Sequence, residues 1–165
     1  MFLPSFISYG LCFVTLCLTM GLQEGWNEVT PTSRTFKFLK EGGYQYEKVE
    51  RWNPFSKTRK DFIGVIDILC WRFPLTGVLG IQATSATNSM KRLRKAMEEA
   101  RLHSWLRCGN RFEVWSWGKR GPRGKRKEWT LTRREILLCD DKIGWTTLDT
   151  DGATEVNLKT IEIAN

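Results

Sequence analysis

KDFIGVIDILCWRFPLTGVLGIQATSATNSMKRLRK, residues Lys60 to Lys95, is the stretch on which the reading of this chain turns. Two short apolar runs, Phe62 to Trp71 and Gly77 to Ile81, lie either side of a Pro/Gly turn, and a basic segment with helical spacing follows at once. The first run is broken only by Gly64 and Asp67, which predicts a central strand covered on both faces. Val78 to Thr84 predicts a second buried strand, and the separation of two places Gln82 and Thr84 on one face. Thr87 and Asn88 are N-cap residues for a helix to about Arg107, with Met90, Leu93, Met97 and Ala100 as its buried stripe. Polar groups on buried strands cost free energy unless they are paired or used, so Asp67, Gln82 and Thr84 are candidate functional residues.

Working outward, TPTSRTFKFL from Thr30 to Leu39 predicts a capped helix that Gly42 and Gly43 stop. Tyr44 to Trp52 alternates at period two, which predicts a strand with Tyr44, Tyr46 and Val49 inward. The loop Pro54 to Lys60 is basic through Lys57, Arg59 and Lys60. Beyond Gly109 and Asn110, Phe112 to Trp117 and Trp129 to Ile136 predict a hairpin. Its tip, GKRGPRGKRK, carries Lys119, Arg120, Arg123, Lys125, Arg126 and Lys127. The three Trp beside it, Trp115, Trp117 and Trp129, read first as core and second as stacking partners for bases.

The chain has 165 residues, enough for one domain with a real core. Its net charge of +8 is unevenly spread. Residues 34–136 hold 24 basic and 10 acidic side chains, whereas residues 137–165 hold 2 and 6. A cationic middle with acidic flanks is the footprint of a polyanion-binding surface, and nucleic acid is the expected partner. The five cysteines, Cys12, Cys17, Cys70, Cys108 and Cys139, form no CxxC pair, and His103 is the one histidine. That composition argues against a zinc or haem site, and Cys70 and Cys108 are expected as buried thiols in a reducing, cytoplasmic setting.

Three segments follow: an apolar 1–29, a domain over 30–136, and an acidic tail over 137–165 in which Ile161 and Ile163 suit an edge strand. Residues 2–22 are long and apolar enough for a membrane or signal segment, yet neither flank carries a Lys or Arg; a start at Met20 is the other reading.

The element order is α-β-β-β-α-β-β, an α/β (α+β) domain. That order, with Asp67 and then a polar-x-polar strand end at Gln82 and Thr84, resembles the PD-(D/E)XK nuclease superfamily. More closely, WNPFSKTRKDFIGVIDIL, GIQATSATN, RLRK and RFEVWSWGKR look like small phage and bacterial members of it, among the Holliday-junction-resolvase-like and restriction-endonuclease-like proteins. The similarity covers about Tyr44 to Ile136.

The resemblance implies a restriction-endonuclease-like mixed sheet flanked by helices, and Mg²⁺- or Mn²⁺-dependent hydrolysis of phosphodiester bonds in DNA. Asp67 stands at the family's metal-binding Asp. Gln82 and Thr84 stand where the family has Glu and Lys, a departure that leaves a neutral carboxamide oxygen and the Ala83 carbonyl as the remaining metal ligands. Thr84 cannot replace an ammonium, so Lys91 is the candidate for a displaced charge, and Asp61 or Glu50 for the second carboxylate. Lys57, Arg59, Lys60, Arg92, Arg94, Lys95 and the six hairpin cations would bind the DNA. Resolvase-like members tend to dimerise, so a homodimer is among the implied partners. A DNA-binding module on the same fold, its catalysis weakened by the Gln/Thr pair, is the alternative.

Overall fold

The structure is a computed structural model that describes residues 30–139 and 142–148, together with the backbone of the short strand Thr154–Glu155. The expectations for residues 1–29, including Met20, Cys12 and Cys17, and for Ile161 and Ile163 lie outside the described residues.

Helix α1 (Pro31–Glu41) begins as its sequence dictates. The Thr30 hydroxyl accepts the Ser33 N–H at 3.1 Å, and Pro31 occupies the first turn, where an N–H would have no helical partner. Strand β1 (Gln45–Lys48) is shorter than the predicted Tyr44 to Trp52. The N–H groups of Val49 and Glu50 both donate to the Asp67 carbonyl, at 2.9 and 3.2 Å, and the chain then leaves the sheet as a separate hairpin, β2 (Arg51–Asn53) and β3 (Thr58–Lys60).

The predicted central strand Phe62 to Trp71 is corrected to β4 (Ile68–Trp71). Phe62 and Ile66 close on each other through backbone bonds of 2.9 and 3.0 Å around a turn in which Ile63 has φ 46° and Gly64 φ 81°. Val65 and Ile66 are nevertheless fully buried, so the apolar run reports burial rather than extended backbone. Ile66 crosses β5 (Leu79–Ser85) at Gly80, where a Cβ would stand 2.6 Å from its Cδ1, so any larger residue there requires the Ile66 side chain to move.

A single 3₁₀ turn (Ala86–Asn88) leads into α2 (Ser89–Met97), and α3 (Ala100–Arg107) follows after a break. The predicted continuous helix is interrupted because Glu99 adopts extended backbone and its carboxylate accepts the Arg101 N–H, capping α3 afresh. The break rotates the expected stripe: Leu93, Ala96, Met97 and Leu102 are buried, while Met90 and Ala100 face solvent.

Strands β6 (Arg111–Arg120), β7 (Glu128–Cys139), β8 (Lys142–Leu148) and β9 (Thr154–Glu155) complete the sheet. Its order is β1-β4-β5-β6-β7-β8-β9; β5 and β6 run parallel and every other pair is antiparallel. The fold is therefore an α+β domain on a mixed sheet. One face carries α1, with Phe36 and Leu39 packed on Ile68, Ile81, Trp115 and Trp117. The other carries α2 and α3, with Leu93, Met97 and Leu102 packed on Phe112, Val114 and Ile136. The sheet runs past Ile136, where the polar tail was expected to begin, and Ile143 of β8 is part of the core. Cys70 is buried as expected, but Cys108, just past the end of α3, is exposed. Among the described residues no helix is long and apolar enough to cross a membrane.

Candidate active site

Asp67 is the last residue before β4, and its position there is set by backbone bonds on both sides. Its N–H donates to the Ile81 carbonyl at 3.0 Å, while its own carbonyl accepts from Val49 and Glu50. The side chain is therefore aimed along the end of β5. Oδ2 accepts Gln82 Nε2 at 2.6 Å and the Ala83 N–H at 3.1 Å. Gln82 and Thr84 are both buried and share one face of β5, the face that α2 covers. The Gln82 amide thus presents its nitrogen to Asp67. It holds the carboxylate in place as a donor and does not offer the carbonyl ligand expected of it.

Asp61 arrives from the turn before β4. The strained backbone at Ile63, a β-branched residue in the left-handed region, folds the chain so that the Asp61 carboxyl comes close enough to Asp67 for each charge to act on the other. The turn is pinned from above: Lys95 of α2 donates to the Gly64 carbonyl at 2.8 Å. Glu50 completes the group from the sheet side, where Lys48 and Arg59 each approach it at 3.3 Å.

The electrostatics follow from this crowding. Burial pushes Asp67 up to about 7, with the negative charge of Asp61 adding to it; the Ala83 and Gln82 hydrogen bonds pull the other way without reversing it. Burial also raises Asp61, against the attraction of Lys95 and Arg92. The two carboxyls act on each other, so ionisation of one disfavours ionisation of its neighbour.

Among the sequence candidates, the structure brings Glu50, Asp61, Asp67, Gln82 and Ala83 together. Thr84 is two residues further along the same buried face, and Lys91 is exposed on α2. The α2 cations whose charge acts on Asp61 are Lys95 and Arg92 instead. Sequence reasoning assigned those two to phosphate contacts alone; their spacing of three puts them on one side of the helix. Reasoning from sequence also missed Arg134, which lies in register with Val114 and so with Gln82 across the sheet, and donates to Ser89 Oγ of α2 at 2.7 Å.

Among the described residues no three His, Cys, Asp or Glu side chains are arranged to hold a metal ion. The donors still fit one particular class of ion. Mg²⁺ is usually held by one or two carboxylates with its other positions left to water and substrate phosphate, and Asp67 with Asp61 is a hard-oxygen pair of that size. The Ala83 carbonyl lies on the same edge of β5 as its N–H, towards Asp67.

The cations form two arms. Lys57, Arg59 and Lys60 belong to the β2–β3 hairpin, and Arg59 is partly committed to Glu50. Lys119 and Arg120 end β6, and Arg123, Lys125, Arg126 and Lys127 fill the exposed turn before β7. By register, β1 ends and β6 turns at the same end of the sheet as Asp67, so the arms leave on either side of it. Arg94 is exposed on α2. Trp115 and Trp117 are core residues, whereas Trp129 is partly exposed beneath Arg34, whose guanidinium lies 4.0 Å from the ring centroid.

No protein-family model, curated protein or solved structure matches the chain.

Proposed function

We propose that the chain is a metal-dependent endonuclease of the PD-(D/E)XK type acting on DNA. The observation that carries this reading is the buried Asp67 with the half-buried Asp61 and Glu50 beside it, Asp67 being raised to about 7 by burial and by its neighbours' charge. Concentrating carboxylates where desolvation opposes their ionisation destabilises a fold, and such an arrangement suits a cation-binding, catalytic end of a sheet. The α1-β1-β4-β5-α2-β6 path, with β5 parallel to β6, supports the restriction-endonuclease-like expectation. The two cationic arms on either side of the carboxylates support a polyanionic substrate.

Asp67 and Asp61 would hold Mg²⁺ or Mn²⁺, with the Ala83 carbonyl alongside. When bound, the ion lowers the pKa of a coordinated water and neutralises charge on the scissile phosphate. The chain's own groups do the rest. Gln82 and the Ala83 N–H fix the Asp67 carboxylate so that it needs no reorganisation on binding. Lys95 and Arg92 set cationic charge beside Asp61, where an ammonium from the Thr84 position would otherwise serve. The arms hold the backbone either side of the reacting phosphate.

Purified protein should cut DNA in the presence of Mg²⁺ or Mn²⁺, and Asp67→Ala should lower the rate at least about 100-fold while DNA binding persists. Absence of divalent-dependent cutting of duplex, branched or single-stranded DNA would overturn the enzyme reading. One observation favours the alternative, a DNA-binding module on this fold: Gln82 occupies Asp67 Oδ2 with a nitrogen. Salt-sensitive binding without cutting would select it.

A further inference from the structure

The β2–β3 hairpin carries more than charge. Arg51 to Lys60 contains four basic residues and no acidic one, and yet its largest side chains are aromatic and outward. Trp52 is 59% exposed and Phe55 97% exposed. Neither is a loose end. Trp52 is registered opposite Arg59 in the ladder, and Asn53 Oδ1 accepts the N–H groups of Phe55 and Ser56 at 3.0 and 3.3 Å, so the backbone from which the Phe55 side chain projects is held by the turn. Ser56 and Thr58 hydroxyls bond at 2.6 Å across the tip, closing it.

An open cleft of about 760 Å³ lies along this hairpin, lined by Trp52, Phe55, Phe62, Arg51, Lys60 and Asp61. Its volume is that of a small-ligand site. Its lining thus combines aromatic rings, two cations and Asp61, one of the paired carboxylates. A plain hydrophobic partner would not be matched by four cations. A uniform duplex would meet the cations but has its bases stacked on one another, leaving exposed aromatic rings nothing to contact. Rings and cations together match a strand whose bases are free to stack and whose backbone is anionic.

We infer that the Arg51–Lys60 hairpin is a stacking arm for unpaired nucleotides, with Trp52 and Phe55 as base platforms. The substrate is then DNA with a single-stranded segment next to the bond presented at Asp67, such as a fork or flap. This assignment rests on the DNA reading of the carboxylate site but not on hydrolysis. Phosphates of the unpaired strand would lie along Arg51 and Lys60, and the paired part of the molecule would meet the β6–β7 arm.

The test uses the full chain in EDTA and two DNA probes, a blunt duplex and the same duplex with an unpaired arm containing 2-aminopurine. The wild type should bind the forked probe more tightly and quench the 2-aminopurine. Trp52→Ala with Phe55→Ala should lose about 10-fold or more in affinity for the forked probe, and the quenching with it, while blunt-duplex affinity and melting temperature stay as in wild type. Wild-type-like binding and quenching in the double variant would overturn the assignment, as would equal losses on both probes or no binding of the forked probe by the wild type. Quenching that depends on Trp52 and Phe55, in a protein that never cuts, would leave the stacking arm standing and remove the nuclease. Cutting unaffected by the double variant on the forked substrate would do the reverse.

Discussion

Two buried carboxylates sit on opposite faces of the same sheet, and their surroundings could hardly differ more. Glu113 of β6, on the α1 face, is fully buried and saturated. Arg133 donates to both of its oxygens at 2.8 and 3.0 Å, Trp115 Nε1 donates at 2.8 Å, and Arg111 at 3.2 Å. Asp67, on the α2 face, has a carboxamide, a backbone N–H and other carboxylates. Burial is therefore not what separates a structural carboxylate from a candidate catalytic one. The balance of charge does: Glu113 has a guanidinium for its charge, and Asp67 is left to hold a proton or to take a cation from solution.

The largest effect should come from the saturated side. Glu113→Ala would leave Arg133, itself more than half buried, with a charge and no partner across the sheet. Removing one member of a buried pair typically costs about 3–5 kcal/mol, a large share of a domain's stability. Denaturant unfolding of the variant measures it directly. A midpoint unchanged from wild type would break the contrast, because Glu113 would then be no more structural than Asp67.

Asp67→Asn should move stability in the opposite direction. The unfolded carboxyl titrates near 3.8 and the folded one near 7, so between these pH values the folded state keeps a proton that the unfolded state has released. Stability conferred by that proton is whole at acid pH and falls as pH climbs through the window, and the deficit is complete above pH 7. Asn does not ionise. In EDTA the variant should therefore match wild type at pH 4 and exceed it at pH 8, by on the order of 2 kcal/mol. Thermal melts at the two pH values decide it, and a variant less stable than wild type at pH 8 would make Asp67 a structural group like Glu113.

Why one carboxylate is legible in the sequence and the other is not has a physical cause. Asp67 breaks a run of apolar residues, and a charge in that company is conspicuous from residue order alone. Glu113, in RFEVW, alternates with Phe112 and Val114 and reads as the solvent side of a half-buried strand. Its burial depends on α1 covering that face and on the register that sets Trp115 opposite Arg133, both long-range facts. The same limit explains the elements. Hydrophobicity marks Phe62 to Trp71 as interior, but the turn at Ile63 and Gly64 depends on backbone dihedrals that composition does not encode. Strand β8 is hidden within an acidic tail although Ile143 and Trp145 alternate as strand residues do. The break before Ala100 is hidden because Glu99 is an ordinary helix former until it caps. Asp61 and Glu50 are legible only as candidates, since nothing local says that a strained turn brings one of them onto Asp67.

The smallest effect tests how far saturation goes. Arg111 is the more exposed of Glu113's two guanidinium partners, and its Nε is committed to Glu135 at 2.8 Å. Its bond to Glu113, at 3.2 Å, is the longest of the four. Solvent screens a group this exposed, and with Arg133 and Trp115 still in place Glu113 keeps a donor on each oxygen. Arg111→Ala should therefore cost no more than about 1 kcal/mol in denaturant unfolding, well short of Glu113→Ala. A loss equal to that of Glu113→Ala would show that the network acts as one unit and that Arg133 alone cannot balance the buried charge. In that case the rule separating the two faces would concern whole networks, and the Lys95 and Arg92 charges near Asp61 would have to be weighed as part of Asp67's environment before it is called unsatisfied.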